Sequence, residues 1–234
     1  MEGGKGENFG KIGLEENEVY TISHKDISAV VSKITFKEIQ PDVDSIIKHQ
    51  KVVENSRSVS TTLPVRFGIM FKTDEGVKQL LVKSYNDFKS KMNKLHGKEE
   101  FGVKVILEKS GMEKIQETIK ENSKEVKKIK KEILKSGEGT SYFLKMRVDE
   151  SIKIETLKKI DEMTGEIHQE LASMVTDSAV LKSDVQEIVL NTAYLIDKDN
   201  IPKFIESVEK IKTKCKKHGF IIHHSGPWAP YSFC

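Results

Sequence analysis

The sequence predicts an α+β fold in two domains, and three observations predict it. Residues 18–107 alternate short β-rich runs with helical patterns in the order strand, strand, helix, strand, helix, strand. Residues 112–175 are dominated by long, charged helical stripes. The chain then closes on strand, helix and strand between 185 and 224. At about 100–200 residues per domain, the length of 234 residues allows one large domain or two small ones. A composition of 37% hydrophobic and 32% charged residues is that of a water-facing globular chain with a core.

The elements follow in order. Residues 1–17 are rich in Gly, Glu and Lys and read as an irregular arm. Runs 18–23 and 27–34, split by His24-Lys25-Asp26, read as a hairpin. Pro41 opens a helix with Val43, Ile46, Ile47 and Val53 on one face. LPVRFG, residues 63–68, reads as a short buried strand. Thr73 or Asp74 caps the next helix, whose stripe runs from Val77 to Leu95 and stops at Gly97. Residues 101–107 form a strand. A single helix is expected from 112 to 135, with Asn122 filling one slot of its apolar stripe. A helix packed on its own domain is preferred there over a coiled-coil seam, because three heptads are few. A second long helix is expected from about 142 to 175, bent near 149–151. Residues 185–197 form a strand, Pro202 opens a helix that ends at Gly219, and 220–224 is the last strand. The expected domains are 1–108 and 109–234.

Composition and motifs exclude more functions than they suggest. Lys plus Arg number 39 and Asp plus Glu 36, too even a balance to demand nucleic acid. Basic runs at 127–131 and 214–217 read as solvated helix faces. No stretch approaches the roughly 20 apolar residues of a membrane span. The opening MEGGKGENFGK lacks an apolar segment, so no secretory signal and a cytoplasmic location are expected. Cys215 and Cys234 lack metal-ligand spacing and read as reduced thiols. There is no glycine-rich phosphate loop, no HExxH and no paired CxxC. His223 and His224, adjacent on a strand, point to opposite faces and do not share an ion. Cys215 with His218 lacks an orienting group for nucleophilic catalysis. No enzyme activity, metal or cofactor is expected.

Two motifs remain. Arg66 sits in the apolar LPVRFG run, where a buried guanidinium must find acceptors. It is either an architectural clamp or a partner-binding residue, with Phe67 beside it. The C-terminal SGPWAPYSFC holds the only Trp and two further aromatics. Trp228, Tyr231 and Phe233 either strap the tail onto its own fold, with Trp228 and Tyr231 mostly buried near Arg66, or present an aromatic segment to another protein.

LPVRFG, GVKVI (102–106), SYFL (141–144), NTAYLI (191–196) and above all the terminal SGPWAPYSF resemble the gas vesicle protein F/L family. FGKIGLEENEVYTI and HQKVVE (49–54) extend the similarity from about residue 9 to the end. The tail departs from the family's GPWPPYSF at Ala229. Where that family has an aromatic-rich strand before FGxIG, this chain has MEGGKGEN, which has no strand character. The resemblance implies a ferredoxin-like first domain, here lacking its first strand, and a helix-rich second domain with a docked aromatic tail. It implies a cytoplasmic, gas-vesicle-associated accessory protein of vesicle assembly. Its partners would be the hydrophobic shell subunit, during nucleation or growth, and other accessory proteins. The second domain, or a groove between domains, is the expected binding surface. The competing reading is a basic helical module binding nucleic acid through 127–131, with salt-sensitive affinity.

Overall fold

The computed structural model describes residues 9–35 and 41–234. Most of the expected arm, residues 1–8, lies outside them. The chain forms two compact units that are discontinuous in sequence: Met1–Glu100 with Leu195–Lys198 and Gly226–Cys234, and Phe101–Tyr194 with Asp199–Ser225. This division differs from a single boundary after residue 108, because two later segments return to the first unit.

In the first unit, β1 (Val19–His24) and β2 (Ile27–Ser32) form an antiparallel hairpin, with Val19 opposite Ser32 and His24 opposite Ile27. Ile27 packs with Leu81 and Met92, and with half-buried Ala29, Leu63, Tyr85 and Phe88. Helix α1 (Val43–Val59) starts where the Asp42 carboxylate accepts from Ser45 N–H at 2.9 Å. This is the usual remedy for unpaired amides at a helix start. The next expected helix is two: α2 (Asp74–Lys83), capped by Thr73, and α3 (Tyr85–Leu95). They meet at Ser84, whose backbone leaves the helical region at φ −105°, ψ 17°.

LPVRFG is not a strand. Residues 61–66 belong to no strand or helix, and the chain turns at Gly68 with φ 91°, a conformation glycine adopts without strain. Pro64 has no N–H to give a ladder.

The second unit centres on a sheet of order β4-β5-β3-β6, formed by β3 (Lys98–Leu107), β4 (Asp177–Val180), β5 (Ile188–Asp197) and β6 (Phe220–Trp228). Residues 98–100, 195–197 and 226–228 of these strands cluster with the first unit. Helix α7 (Ile201–Lys216) buries Phe204, Val208, Ile211 and Cys215, a 3–4 residue spacing that marks its apolar face. Phe204 meets Tyr194 and Phe101 with ring centroids 5.5 and 5.9 Å apart.

The helix expected over 112–135 is also two, α4 (Lys109–Asn122) and α5 (Lys124–Ile133). Ser123 is the reason. Its hydroxyl accepts from Val126 N–H at 3.1 Å and donates to Glu155 at 2.6 Å, so it starts a new helix. Helix α6 (Glu138–Ala172) is continuous through 149–151. It packs Leu144, Val148 and Ile152 against Val126 and Ile129 of α5. Buried Thr156 and Thr164 donate to the carbonyls one turn back, at 2.6 and 2.9 Å, so neither hydroxyl is stranded.

Candidate interaction site

The first unit carries a groove of about 740 Å³, bounded by β2, α1, α2 and residues 63–73. Its lip is the LPVRFG segment and the IMF that follows. His49 of α1 holds this lip in place: its Nε2 lies 2.8 Å from Val65 O, and its ring meets Phe67 edge-on at 5.7 Å. The motif HQKVVE thus supplies the support for LPVRFG, 16 residues on. Held this way, the lip cannot bury all of its apolar side chains. Val65, Ile69 and Phe71 remain 52, 61 and 43% exposed, and Met70 40%. Exposed apolar groups gathered on one groove make it the candidate interaction site of this unit.

Charge lies at the rim. Tyr20 Oη donates to Asp74 Oδ1 at 2.9 Å, and Lys33 lies 3.9 Å from the same carboxylate. Burial, then the Asp74 bond, pushes the Tyr20 phenol up to about 12, so it stays a donor throughout the neutral range. Arg66 and Lys72 also line the groove and make no ion pair with another described residue.

Arg66 is therefore exposed, against the expectation of a buried guanidinium. The segment has no sheet around it, so the side chain reaches water and keeps its hydration. The sequestered arginine is Arg57 of α1. It bonds Glu54 through Nη1 at 2.8 Å and Glu99 through Nη2, and Glu99 also lies 3.3 Å from Lys198. Both Arg57 and Glu99 side chains are mostly covered.

The tail docks on the first unit, and Trp228 is not mostly buried, against the expectation. Trp228 is 45% exposed at the end of β6. The anchors lie beyond it. Ala229 and Pro230 are buried. The buried Glu100 carboxylate accepts from Ser232 N–H at 2.9 Å and Ser232 Oγ–H at 2.8 Å. Phe233 is buried with Lys94 Nζ 5.8 Å from its ring centre. The Cys234 thiol donates to Pro230 O at 3.1 Å, and burial pushes it up to about 11 although the residue as a whole is exposed. Tyr231 is half-buried and its phenol is raised by that burial. Glu100 belongs to no motif singled out in the sequence, and His49 opens HQKVVE, which carries the family resemblance but was not read as part of a site. One acts across 132 residues and the other through its ring, so no local pattern announces them.

The remaining titratable groups do not converge. His168 Nδ1 lies 3.0 Å from Tyr194 Oη, in the core. Burial pushes that phenol up to about 12. The buried Cys215 thiol is raised by its burial, and its link to His218 is a main-chain bond of 2.9 Å. His224 lies 3.7 Å from Glu209, while His223 is exposed on the other face. Among the described residues no group of three His, Cys, Asp or Glu is placed to hold a metal. Lys127, Lys128, Lys130 and Lys131 are exposed around α5, with Ile129 buried between them. Among the described residues no helix is long and apolar enough to cross a membrane.

A family model described as "Gas vesicle synthesis protein GvpL/GvpF" matches residues 2–234. Gas vesicle protein L of Streptomyces sp. is 25% identical over 197 residues, 81% of this chain and 68% of that protein. Gas vesicle protein L1 of Halobacterium salinarum is 21% identical over 236 residues, 94% of this chain and 82% of that one. The crystal structure of the gas vesicle protein GvpF from Anabaena sp. PCC7120 shares the fold, with a TM-score of 0.80 and 22% identity over 97% of this chain and 91% of that one. The chain belongs to the gas vesicle synthesis GvpL/GvpF family and has a gas-vesicle-related role.

Proposed function

We propose that this chain serves gas vesicle formation by covering the apolar surface of the shell subunit before that subunit enters the shell, and that the groove of the first unit is where it does so. The physical need is plain. A wall that keeps water out of a gas space must present apolar side chains, and a subunit outside the wall exposes them to water. Burial is worth about 25 cal/mol per Å² of apolar surface, so even a modest exposed face drives aggregation. The observation that carries the reading is the exposed apolar lip Val65, Ile69, Met70 and Phe71, held over a groove by His49. It favours the first unit over the second-domain surface that the long helices suggest. The protein would then work by adhesion, in the compartment where shell subunits are made.

The test uses the full chain, because the two units interleave in sequence and fragments cut at residue 108 correspond to neither. Shell subunit captured by the unaltered chain should be lost with Phe71→Asp or Ile69→Asp. It should be retained with Phe143→Asp, which places the same charge at an exposed position of α6. Equal capture by all three variants rejects the groove.

A further inference from the structure

Helix α6 of the second unit is apolar on two sides over its first half. On one side Leu144, Val148 and Ile152 are buried with Val126 and Ile129 of α5. On another, Tyr142, Phe143, Met146, Ile154 and Leu157 are 64, 68, 55, 59 and 51% exposed. At about 100° per residue these five fall on one arc of about 120°, along about 23 Å of helix. The Tyr142 and Phe143 rings meet edge-on with centroids 6.0 Å apart. The stripe then stops. From 158 to 172 every exposed position of the helix is charged, Gln or Gly, the ordinary solvent face of a surface helix. The apolar arc is thus confined to four turns, which sets it apart from scattered surface hydrophobics.

The charges beside the arc point to its occupant. Asp149, Glu150 and Lys153 are exposed, and none of the three makes an ion pair with another described residue. Arg147, on the far flank, lies 3.8 Å from Glu125. A second α6, turned end over end about the level of Glu150, matches this pattern. Phe143 then lies level with Leu157 of the second copy, and Met146 with Ile154. Lys153 of the second copy comes level with Arg147, within one turn of Asp149 and Glu150 on the first. Symmetry makes each of these pairings twice. An unrelated apolar surface would cover the arc but would not meet the acidic pair with a cation at that level. Covering the five side chains on both copies buries about 1,000 Å² in total, the lower end of what a specific interface needs. We propose that the chain pairs with a second copy of itself through an antiparallel contact of the two α6 helices over residues 142–157. An interface of this size makes the dimer weak and dependent on concentration.

The experiment is sedimentation equilibrium of the full chain across roughly 1–300 µM, where mass action populates a weak dimer. The average mass should rise with concentration toward that of two chains. Phe143→Asp should raise the dimer dissociation constant at least about tenfold, with helix content by circular dichroism unchanged because the position is exposed. Asp149→Lys and Lys153→Asp should each weaken self-association about tenfold, since like charges then face each other across the contact. Mixed in equal amounts, these two variants should recover the dimer, because each supplies the charge that the other lacks. A chain that stays single over the whole range overturns the proposal, and so does a dimer indifferent to Phe143→Asp. A dimer that Phe143→Asp weakens but that mixing the charge variants does not recover overturns the antiparallel register. Loss of shell-subunit capture with Phe143→Asp would assign the stripe to that subunit and overturn the stated occupant.

Discussion

Glu100 illustrates how a single buried carboxylate can hold a distant segment. It accepts two hydrogen bonds from Ser232, and its carboxyl is raised above its usual value of 4.5 by burial, against those two donors, which lower it. A raised carboxyl binds its proton more tightly folded than unfolded. Its contribution to stability is therefore present below about pH 4.5 and is lost as pH rises through the folded-state value. Glu100→Gln abolishes this titration. Urea denaturation should show the substitution to be more destabilising at about pH 4 than at about pH 7, and the reverse trend would contradict the burial argument. Arg57 gives a second prediction. Arg57→Met takes the guanidinium from Glu99 and should cost about 2 kcal/mol in the same assay, since the mostly covered carboxylate keeps only the exposed Lys198, 3.3 Å away. Arg66→Met, at an exposed position, should change stability by less than about 0.5 kcal/mol. The contrast between these arginines was not legible beforehand. LPVRFG looks buried because its neighbours are apolar, but the absence of a surrounding sheet decides its exposure. Arg57 sits in a polar helix and gives no such signal.

At the scale of elements, local pattern predicted most of what local energetics decides. The β-rich runs expected at 18–23, 27–34, 101–107 and 185–197 became strands over 19–24, 27–32, 98–107 and 188–197, and the helices expected from Pro41, over about 142–175 and from Pro202 formed over 43–59, 138–172 and 201–216. Two helix breaks were missed. At Ser84 and Ser123 the apolar period carries on across the junction, while the backbone does not. Ser123 prefers to cap α5 and bond Glu155, a partner 32 residues away. The four-residue β4 was also missed, because DSAV is too short and too polar to show alternation. The turn between α7 and β6 yields a prediction of its own. Gly219 has φ 77°, and a Cβ built there would lie 2.4 Å from Gly111 Cα at the start of α4. Gly219→Ala therefore combines backbone strain with overpacking and should cost about 2–4 kcal/mol by thermal or urea denaturation. A loss below about 0.5 kcal/mol would mean that α4 does not need this close approach.

Across the whole molecule, the site is built from parts that are each unremarkable in sequence. A helix histidine supports an apolar loop, a hairpin forms one wall, and two cations line the groove. The family resemblance could be read from SGPWAPYSF and LPVRFG. What could not be read is which surface is left uncovered, because that depends on which segments fail to pack there. The aromatic tail was the obvious candidate surface. Its last five residues are instead tied to Glu100 and Lys94, which leaves Trp228 as its exposed member. The account's central claim is that the groove of the first unit touches the shell subunit. Photo-crosslinking tests it most directly, with a benzophenone side chain placed at Phe71 or, separately, at Phe143 of the full chain during vesicle formation. The account predicts a covalent adduct with the shell subunit from position 71 and none from position 143; adducts from 143 with none from 71 would contradict it.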